Sequence, residues 1–317
     1  MVKVENLKAV QGGKAVEIEY LGCLLWSTVS DVLKIPVDDL KTALTDLGLE
    51  KFMPRKINPR DAFRRVTKLM EVRKAPYGKD IYTNLLVRDV KFEEGGVVRQ
   101  LVREVVDGEN VRLAYEPVLQ LEIGEGDRLS ITPLVSLLTP AEQEAAQRLP
   151  RLHEEACNYY DGTHIRYMLW LMLVACNPIS VRPTGGVYFI PQKYADTVGA
   201  IKELSKRLNK YEGNVRMWSI PVIDAAEHRE MLEESLEEQV LGGSTSIINE
   251  MKNLMETPEA SFTARTAKSY ADRIRKLKDL VTEYEDMLET QATKARANLE
   301  LARLQAIKLM ELASTEE

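Results

Sequence analysis

The chain has 317 residues, of which 44% are hydrophobic and 29% charged, and its formal net charge is −6. The length predicts more than one domain, and the negative net charge argues against a general nucleic-acid binder. The three cysteines, which include no C-x-x-C pair, exclude a disulfide framework, and the longest apolar run, residues 167–176, is about half of a membrane span. We therefore expect a cytoplasmic protein that does not cross a membrane.

The first part of the chain, residues 1–135, is predicted to form an α+β domain. The segment "QGG" at 11–13 predicts the turn of a hairpin. Apolar residues at 37, 40, 44 and 47 share a helical face, and Gly48 provides the left-handed residue that ends the helix. Asn58 and Pro59 begin a second helix as cap and first residue. Residues 81–131 alternate in polarity between turns, which predicts an antiparallel meander.

The second part, residues 136–223, is predicted to form another α+β domain. Thr139, Pro140 and Glu142 match a capping box at the start of a helix. The stretch "SVRPTGGVYFIP", residues 180–191, follows an apolar run that is expected to form a buried helix. Its two glycines predict the turn of a hairpin over 179–190.

The third part, residues 224–317, is predicted to form a long antiparallel helical hairpin of coiled-coil type. Apolar residues from Tyr270 to Ala313 alternate in steps of four and three, with two successive steps of four from Tyr284 to Ala292. A single helix over 258–313 would extend beyond its partner over 225–255. We therefore expect a homo-oligomer, with burial against the globular domains as the alternative. The predicted oligomer seam consists of Leu299, Ala302, Ala306 and Leu309.

Positive charge is concentrated in residues 51–79. This segment holds ten basic and two acidic residues, so it carries +8 while the rest of the chain carries −14. Side chains spaced by four residues on one helix face suit phosphate oxygens. The alternatives are a solvated face or a docking site for the acidic residues 227–239. The candidate nucleic-acid-binding residues are Arg60, Arg64, Arg65, Lys68, Arg73 and Lys74.

The hairpin turn within 179–190 is a second candidate site. Glycines that hold a phosphate normally follow a strand and open a helix, whereas here they lead into a strand. The hairpin alone explains these residues, but bare glycine backbone beside a cation also permits a ligand loop. The residues of that possible ligand loop are Arg182, Gly185, Gly186 and Tyr188.

No pattern predicts a metal, a cofactor or a catalytic centre. His153 and Cys157 are four residues apart on a predicted helix, and His164 and Cys176 follow, but this spacing matches no known zinc finger. There is no G-x-S-x-G motif. Asp161 fits the cap of the helix that contains His164. We predict that the protein has no resident metal or cofactor.

The combination of "HIRYMLWLML", "SVRPTGGVYFIP" and a long helical tail resembles an uncharacterised protein family found in bacterial and phage genomes. The resemblance covers about residues 160–310. It implies a phage or mobile-element setting and no particular reaction. We expect a non-catalytic protein that associates with nucleic acid or assembles with itself. The alternative is an enzyme that acts on nucleotides or nucleic acid through Arg182, Tyr188 and His164.

Overall fold

The computed structural model describes residues 9–11, 14–16, 19–93, 96–256 and 264–315. The strands are β1 (Ala9–Gln11), β2 (Lys14–Val16), β3 (Tyr20–Val29), β4 (Lys34–Pro36), β5 (Val72–Gly78), β6 (Ile81–Glu93), β7 (Gly96–Asp107), β8 (Arg112–Ile123), β9 (Leu129–Pro133), β10 (Tyr159–Asp161), β11 (Ile179–Ser180), β12 (Tyr188–Pro191) and β13 (Val215–Ile223). The helices are α1 (Val37–Thr45), α2 (Pro59–Lys68), α3 (Pro140–Asn158), α4 (Gly162–Val174), α5 (Ala195–Leu208), α6 (Ala226–Glu256), α7 (Ala264–Leu288) and α8 (Thr293–Thr315). The predicted α+β class is confirmed.

The described residues divide into two compact units. We call the unit within Asp31–Ile165 and Tyr211–Gly213 the meander unit, and the unit within Met1–Ser30, Arg166–Lys210 and Asn214–Glu317 the bundle unit. This grouping differs from the three consecutive parts expected from the sequence, because strands distant in the chain pair with one another. Independent folding of residues 1–135, 136–223 and 224–317 stays a prediction.

The meander unit is built on a five-stranded antiparallel sheet in the order β5-β6-β7-β8-β9, as the sequence predicts. Helices α2 and α3 pack on this sheet through Phe63, Val66 and Leu149. The predicted caps are confirmed: the Asn58 side chain accepts a hydrogen bond from the Arg60 backbone N–H, and Thr139 and Glu142 form a complete capping box. Capping satisfies N–H groups that have no partner within the helix, which fixes where each helix begins.

The bundle unit contains a four-stranded antiparallel sheet in the order β11-β12-β3-β13. Strands β11 and β12 form the predicted hairpin, with Ile179 opposite Phe189. Leu25 and Ile190 on one face of the sheet pack against Leu173 of α4 and Val198 of α5. The other face packs against α6, α7 and α8.

The C-terminal region is a bundle of three helices, so the predicted single helix over 258–313 is wrong. Helix α7 ends at Leu288 and α8 begins at Thr293. The break coincides with the two successive steps of four in the apolar pattern. Helix α6 continues through its two adjacent glycines, Gly242 and Gly243. A Cβ on Gly243 would lie 3.3 Å from the Leu277 side chain, so this glycine lets α7 approach closely.

Polar contacts explain why the chain turns after Leu288. Glu289 has a positive φ of 53°, which reverses the chain as in the left-handed cap of a helix. The carbonyl of Leu288 accepts a hydrogen bond from Arg229 of α6 at 2.7 Å. The Glu285 carboxylate accepts from the backbone N–H of Ala292 at 2.8 Å and pairs with Arg296. One backbone group at each helix end of the turn, the Leu288 carbonyl and the Ala292 N–H, is therefore satisfied by a side chain.

The predicted oligomer seam lies inside the chain. Leu299, Ala302, Ala306 and Leu309 are buried in one core with residues of α6 and α7. A second subunit was expected to cover these residues because a single long helix would extend beyond its partner. The chain instead turns after Leu288, and α8 packs against α6 and α7. Self-association through other residues stays open.

Introducing charge at the buried positions of α8 should unfold the bundle. Leu299→Glu combined with Leu309→Glu places two carboxylates in an apolar core, which we expect to lower the free energy of unfolding by more than about 4 kcal/mol. Thermal unfolding followed by circular dichroism measures this loss. The matched control is Leu301→Glu with Leu304→Glu, because both residues are exposed on the same helix. A folded double variant that only loses mass in light scattering would contradict the buried arrangement.

Candidate functional site

The predicted basic residues lie on α2 and β5, where acidic neighbours neutralise several of them. Arg64 pairs with Asp61 at 3.0 Å, Arg65 with Asp161 at 3.0 Å and Lys68 with Glu71 at 2.9 Å. The Arg64–Asp61 pair lies on the surface, so it contributes at most about 1 kcal/mol and a polyanion can displace it, whereas the Glu71 side chain is largely buried. The structure does not present these residues as one uniformly cationic face.

The remaining members of the predicted set have other surroundings. The Arg73 guanidinium lies 3.8 Å from the Glu71 carboxylate. Arg60 also has an interaction partner within the chain. Lys74 has a positive φ of 55°, and its backbone N–H donates to Asn84. Glu71 therefore faces two of the six predicted cations. Burial alone would raise the pKa of the Glu71 carboxylate, but Lys68 and Arg73 hold that pKa below its ordinary value.

Other cations of the same segment have no acidic partner among the residues that the structure describes. Arg55 and Lys56 are exposed between Phe52 and α2 and form no ion pair with another described residue. Lys51 is exposed beside them, with its ammonium 5.0 Å from the centre of the Phe52 ring. Lys51, Arg55 and Lys56 are therefore cations of this segment that no described acid offsets.

The glycine turn of the hairpin is stabilised by its own side chains. The guanidinium of Arg182 donates to the Thr184 hydroxyl at 2.8 Å, and the Gly185 N–H donates to the Arg182 carbonyl at 2.8 Å. Gly185 and Gly186 have φ values of 73° and 89°, which side chains other than glycine rarely adopt. The predicted hairpin turn is confirmed, and its role as a ligand loop stays a prediction.

Helix α4 lies beside this turn and exposes an unexpected apolar stripe. Trp170 contacts Tyr188 of the hairpin, with 5.5 Å between ring centres. The stripe has the spacing i, i+3, i+4, i+7 of one helical face. We call it the α4 surface; its members, with their exposed fractions, are Tyr167 (62%), Trp170 (41%), Leu171 (37%) and Val174 (43%).

The side of α4 opposite the α4 surface is buried. The prediction of a buried helix is therefore correct for one side of α4 and wrong for the other. Met168, Leu169, Met172 and Leu173 are within the core. A continuous apolar run has no polar face, so its sequence does not show which side contacts the protein. Residues 167–176 contain no charged side chain. The α4 surface is therefore both apolar and uncharged.

The predicted cap of α4 is confirmed and accounts for His164. The Asp161 carboxylate accepts from the backbone N–H groups of Thr163 and His164, and it lies 2.8 Å from Nδ1 of His164. The hydrogen bond from the His164 side chain, with backbone N–H bonds and Arg65, holds the pKa of Asp161 well below its usual range. His164 thus has a structural neighbour that explains its position.

His153 and Cys157 form a close pair on α3. The Cys157 Sγ lies 3.6 Å from Nε2 of His153, which also lies 2.9 Å from the carbonyl oxygen of Pro59. Burial raises the pKa of the Cys157 thiol, so the thiolate needed for nucleophilic attack is disfavoured. Among the described residues, no group of three or more His, Cys, Asp or Glu side chains is arranged to hold a metal ion.

A cavity of about 760 Å³ opens in the bundle unit between the sheet and α7. Acidic residues outnumber the two cations of its wall, Lys193 and Arg229, and the other lining residues are uncharged. Glu283 at this wall accepts hydrogen bonds from Asn177 at 2.6 Å and Tyr194 at 3.3 Å, and it pairs with Lys193 at 2.9 Å. These contacts, all made by Oε2 of Glu283, join α7 to the segments that follow α4 and β12, while Oε1 of Glu283 is buried without a hydrogen-bond partner among the described residues.

The described helices include none long and apolar enough to cross a membrane. Sequence reasoning missed the α4 surface and the Glu283 network, because both depend on which residues the fold brings together. The sequence signal available for the α4 surface was the run of ten uncharged residues, 167–176.

Comparison with known proteins identifies a family. The model of DUF6744, a family of unknown function, matches residues 20–315. Neither the curated proteins nor the solved structures contain a match. The matched range includes both motifs, at 164–173 and 180–191, on which the resemblance to an uncharacterised family depends. The chain therefore belongs to the family of unknown function DUF6744.

Proposed function

We propose that the protein is a non-catalytic, self-assembling protein that uses the α4 surface as its contact. The observation that carries this proposal is the exposed stripe of Tyr167, Trp170, Leu171 and Val174. Together these side chains expose roughly 400 Å² of largely apolar area, which is comparable with the largest apolar patch of a typical monomer and is often functional at that size. Aromatic residues, and tryptophan above all, are enriched where proteins bind one another.

The apolar area of the α4 surface determines how strongly two copies can associate. Removing roughly 400 Å² of apolar surface from water on each of two copies stabilises a complex by about 20 kcal/mol before the costs of association are counted. Those costs absorb most of this gain, which leaves a weak to moderate affinity. The surface therefore suits reversible assembly.

The geometry gives less support to catalysis. The alternative enzyme used Arg182, Tyr188 and His164. The guanidinium of Arg182 is bonded to Thr184 within its own turn, and His164 is bonded to Asp161. Each of these contacts serves the local structure, and none of them activates a nucleophile.

Charged residues in the α4 surface should abolish assembly. In Trp170→Glu with Leu171→Glu, two carboxylates would be buried on association without a partner, a cost of several kcal/mol per charge. We expect the weight-average mass from multi-angle light scattering, which should rise towards two copies for the wild type at about 100 µM, to stay at one copy for this variant.

The matched control is again Leu301→Glu with Leu304→Glu on α8, which should assemble like the wild type. Circular dichroism confirms that each variant is folded, since all four substituted side chains are exposed. The proposal is wrong if the wild type stays monomeric, or if the α4 variant assembles as well as the control does.

Nucleic-acid association is a second candidate function, supported by the exposed cations Lys51, Arg55 and Lys56, which form no ion pair within the described part of the chain. A phage or mobile-element setting, which the resemblance implies, would suit it and stays a prediction. If these cations contact phosphates, the affinity should fall steeply as salt is raised, because bound counterions are released.

Two triple variants test which cations of residues 51–79 contact nucleic acid. Lys51→Glu, Arg55→Glu and Lys56→Glu together should weaken binding to a random-sequence oligonucleotide and lower the salt slope by about 3. Arg60→Glu, Arg64→Glu and Lys68→Glu should have a smaller effect, because acidic neighbours already offset Arg64 and Lys68. Binding that is absent, or that does not change with salt, contradicts this candidate.

A further inference from the structure

We infer that the cavity in the bundle unit binds a small organic polycation, of the class of linear polyamines, along α7. The cavity volume of about 760 Å³ is typical of a small-molecule site. The four residues of the α4 surface are not among the residues that line it, so this inference does not depend on the proposed self-assembly.

The wall of the cavity carries an excess of negative charge. Six of the lining residues are acidic and two are basic, so the wall has a formal net charge of −4. Such a wall attracts cations and repels phosphates and carboxylates. The acidic residues are Glu19, Asp224, Asp279, Glu283, Asp286 and Glu289.

The two basic residues of the wall already have acidic partners. Arg229 pairs with Asp224 at 2.6 Å and donates to the Leu288 carbonyl at 2.7 Å. Lys193 pairs with Glu283 at 2.9 Å. The other four carboxylates of the wall form no ion pair within the described part of the chain, so the excess charge is theirs.

Three of the acidic residues form a stripe on α7. Asp279, Glu283 and Asp286 are four and three residues apart, so they share one face of the helix. Their intervals along the helix axis are about 6 Å and about 4.5 Å. Amines that are separated by three or four methylene groups have similar intervals, so successive ammonium groups of a linear polyamine can each meet a carboxylate of the stripe.

Two buried oxygen atoms of lining residues have no hydrogen-bond partner among the described residues. They are Oη of Tyr20 and Oε1 of Glu283. Buried polar groups are nearly always paired, so an unpaired group indicates a missing ligand, ion or water. A carboxylate oxygen only accepts hydrogen bonds, so the missing partner of Glu283 is a donor. An ammonium group has three N–H donors and no acceptor, and it can donate to the phenol oxygen as well.

The arrangement of the acidic residues suits a metal ion less well. A metal ion needs several ligands around one point, and no group of three or more His, Cys, Asp or Glu side chains in the described part of the chain is arranged in that way. The acidic residues of α7 are instead spread along the helix. This spread matches a ligand whose positive charges are also spread along a chain.

Isothermal titration calorimetry of the full-length protein with spermidine, a linear triamine, tests the site. We expect saturable binding at physiological ionic strength. Asp279→Asn with Asp286→Asn removes two carboxylates of the stripe at constant side-chain size and should weaken binding about ten-fold. The matched control is Glu230→Gln with Glu234→Gln on α6, which removes the same charge from exposed residues that do not line the cavity.

Tyr20→Phe tests the unpartnered hydroxyl group separately. Removal of a buried hydroxyl that has no partner should leave the melting temperature of the free protein unchanged or raise it, whereas the affinity for spermidine should fall several-fold. A lower melting temperature together with an unchanged affinity would show that the hydroxyl serves the fold and would overturn its part in the site.

The site is refuted if spermidine shows no saturable binding at about 1 mM. It is also refuted if both double variants weaken binding equally, or if an equal concentration of Mg²⁺ displaces spermidine, because either result would show attraction by net charge alone. The mass of the wild type in light scattering reports self-assembly independently, so a failure of the polyamine site and a failure of the proposed function are distinguishable.

Discussion

The pairing of β3 with β12 and β13 is the interaction on which the bundle unit depends. It joins β3 to two segments that follow it by more than 150 residues. The contact requires Gly22, because a Cβ at that position would overlap the carbonyl oxygen of Ile190. The resulting sheet has two apolar faces, and each must be covered.

Helices cover both apolar faces of this sheet, which determines where each helix lies. The α4 surface is not part of either contact and remains exposed. Helices α4 and α5 pack on the face of Leu25, while α6, α7 and α8 pack on the face of Phe189. One helix buries only one side against a sheet. The sequence of α4 is apolar on both sides, so the second side remains exposed wherever the first is buried. The candidate site is thus a consequence of the fold acting on an apolar segment.

Local signals in the sequence predicted local structure well. Asn58, the Thr139 capping box and Gly48 marked helix ends because a cap involves only neighbouring residues. The hairpin over 179–190 followed from its glycines for the same reason. The turn after Leu288 was marked only indirectly, by two successive steps of four, since the contacts that stabilise it come from Arg229 and Arg296 in other helices. Likewise, counting the charges of residues 51–79 did not show that Asp161 would neutralise Arg65 from a distant part of the chain.

The central claim is that the exposed side of α4 becomes buried when the protein assembles, and the fluorescence of Trp170 measures this directly. In a chain with Trp26→Phe and Trp218→Phe, Trp170 is the remaining tryptophan. Its emission maximum should move to shorter wavelength as the protein concentration rises, because the indole leaves water for an apolar contact. An emission maximum that stays constant while light scattering shows dimers would contradict the account, because assembly would then use another surface.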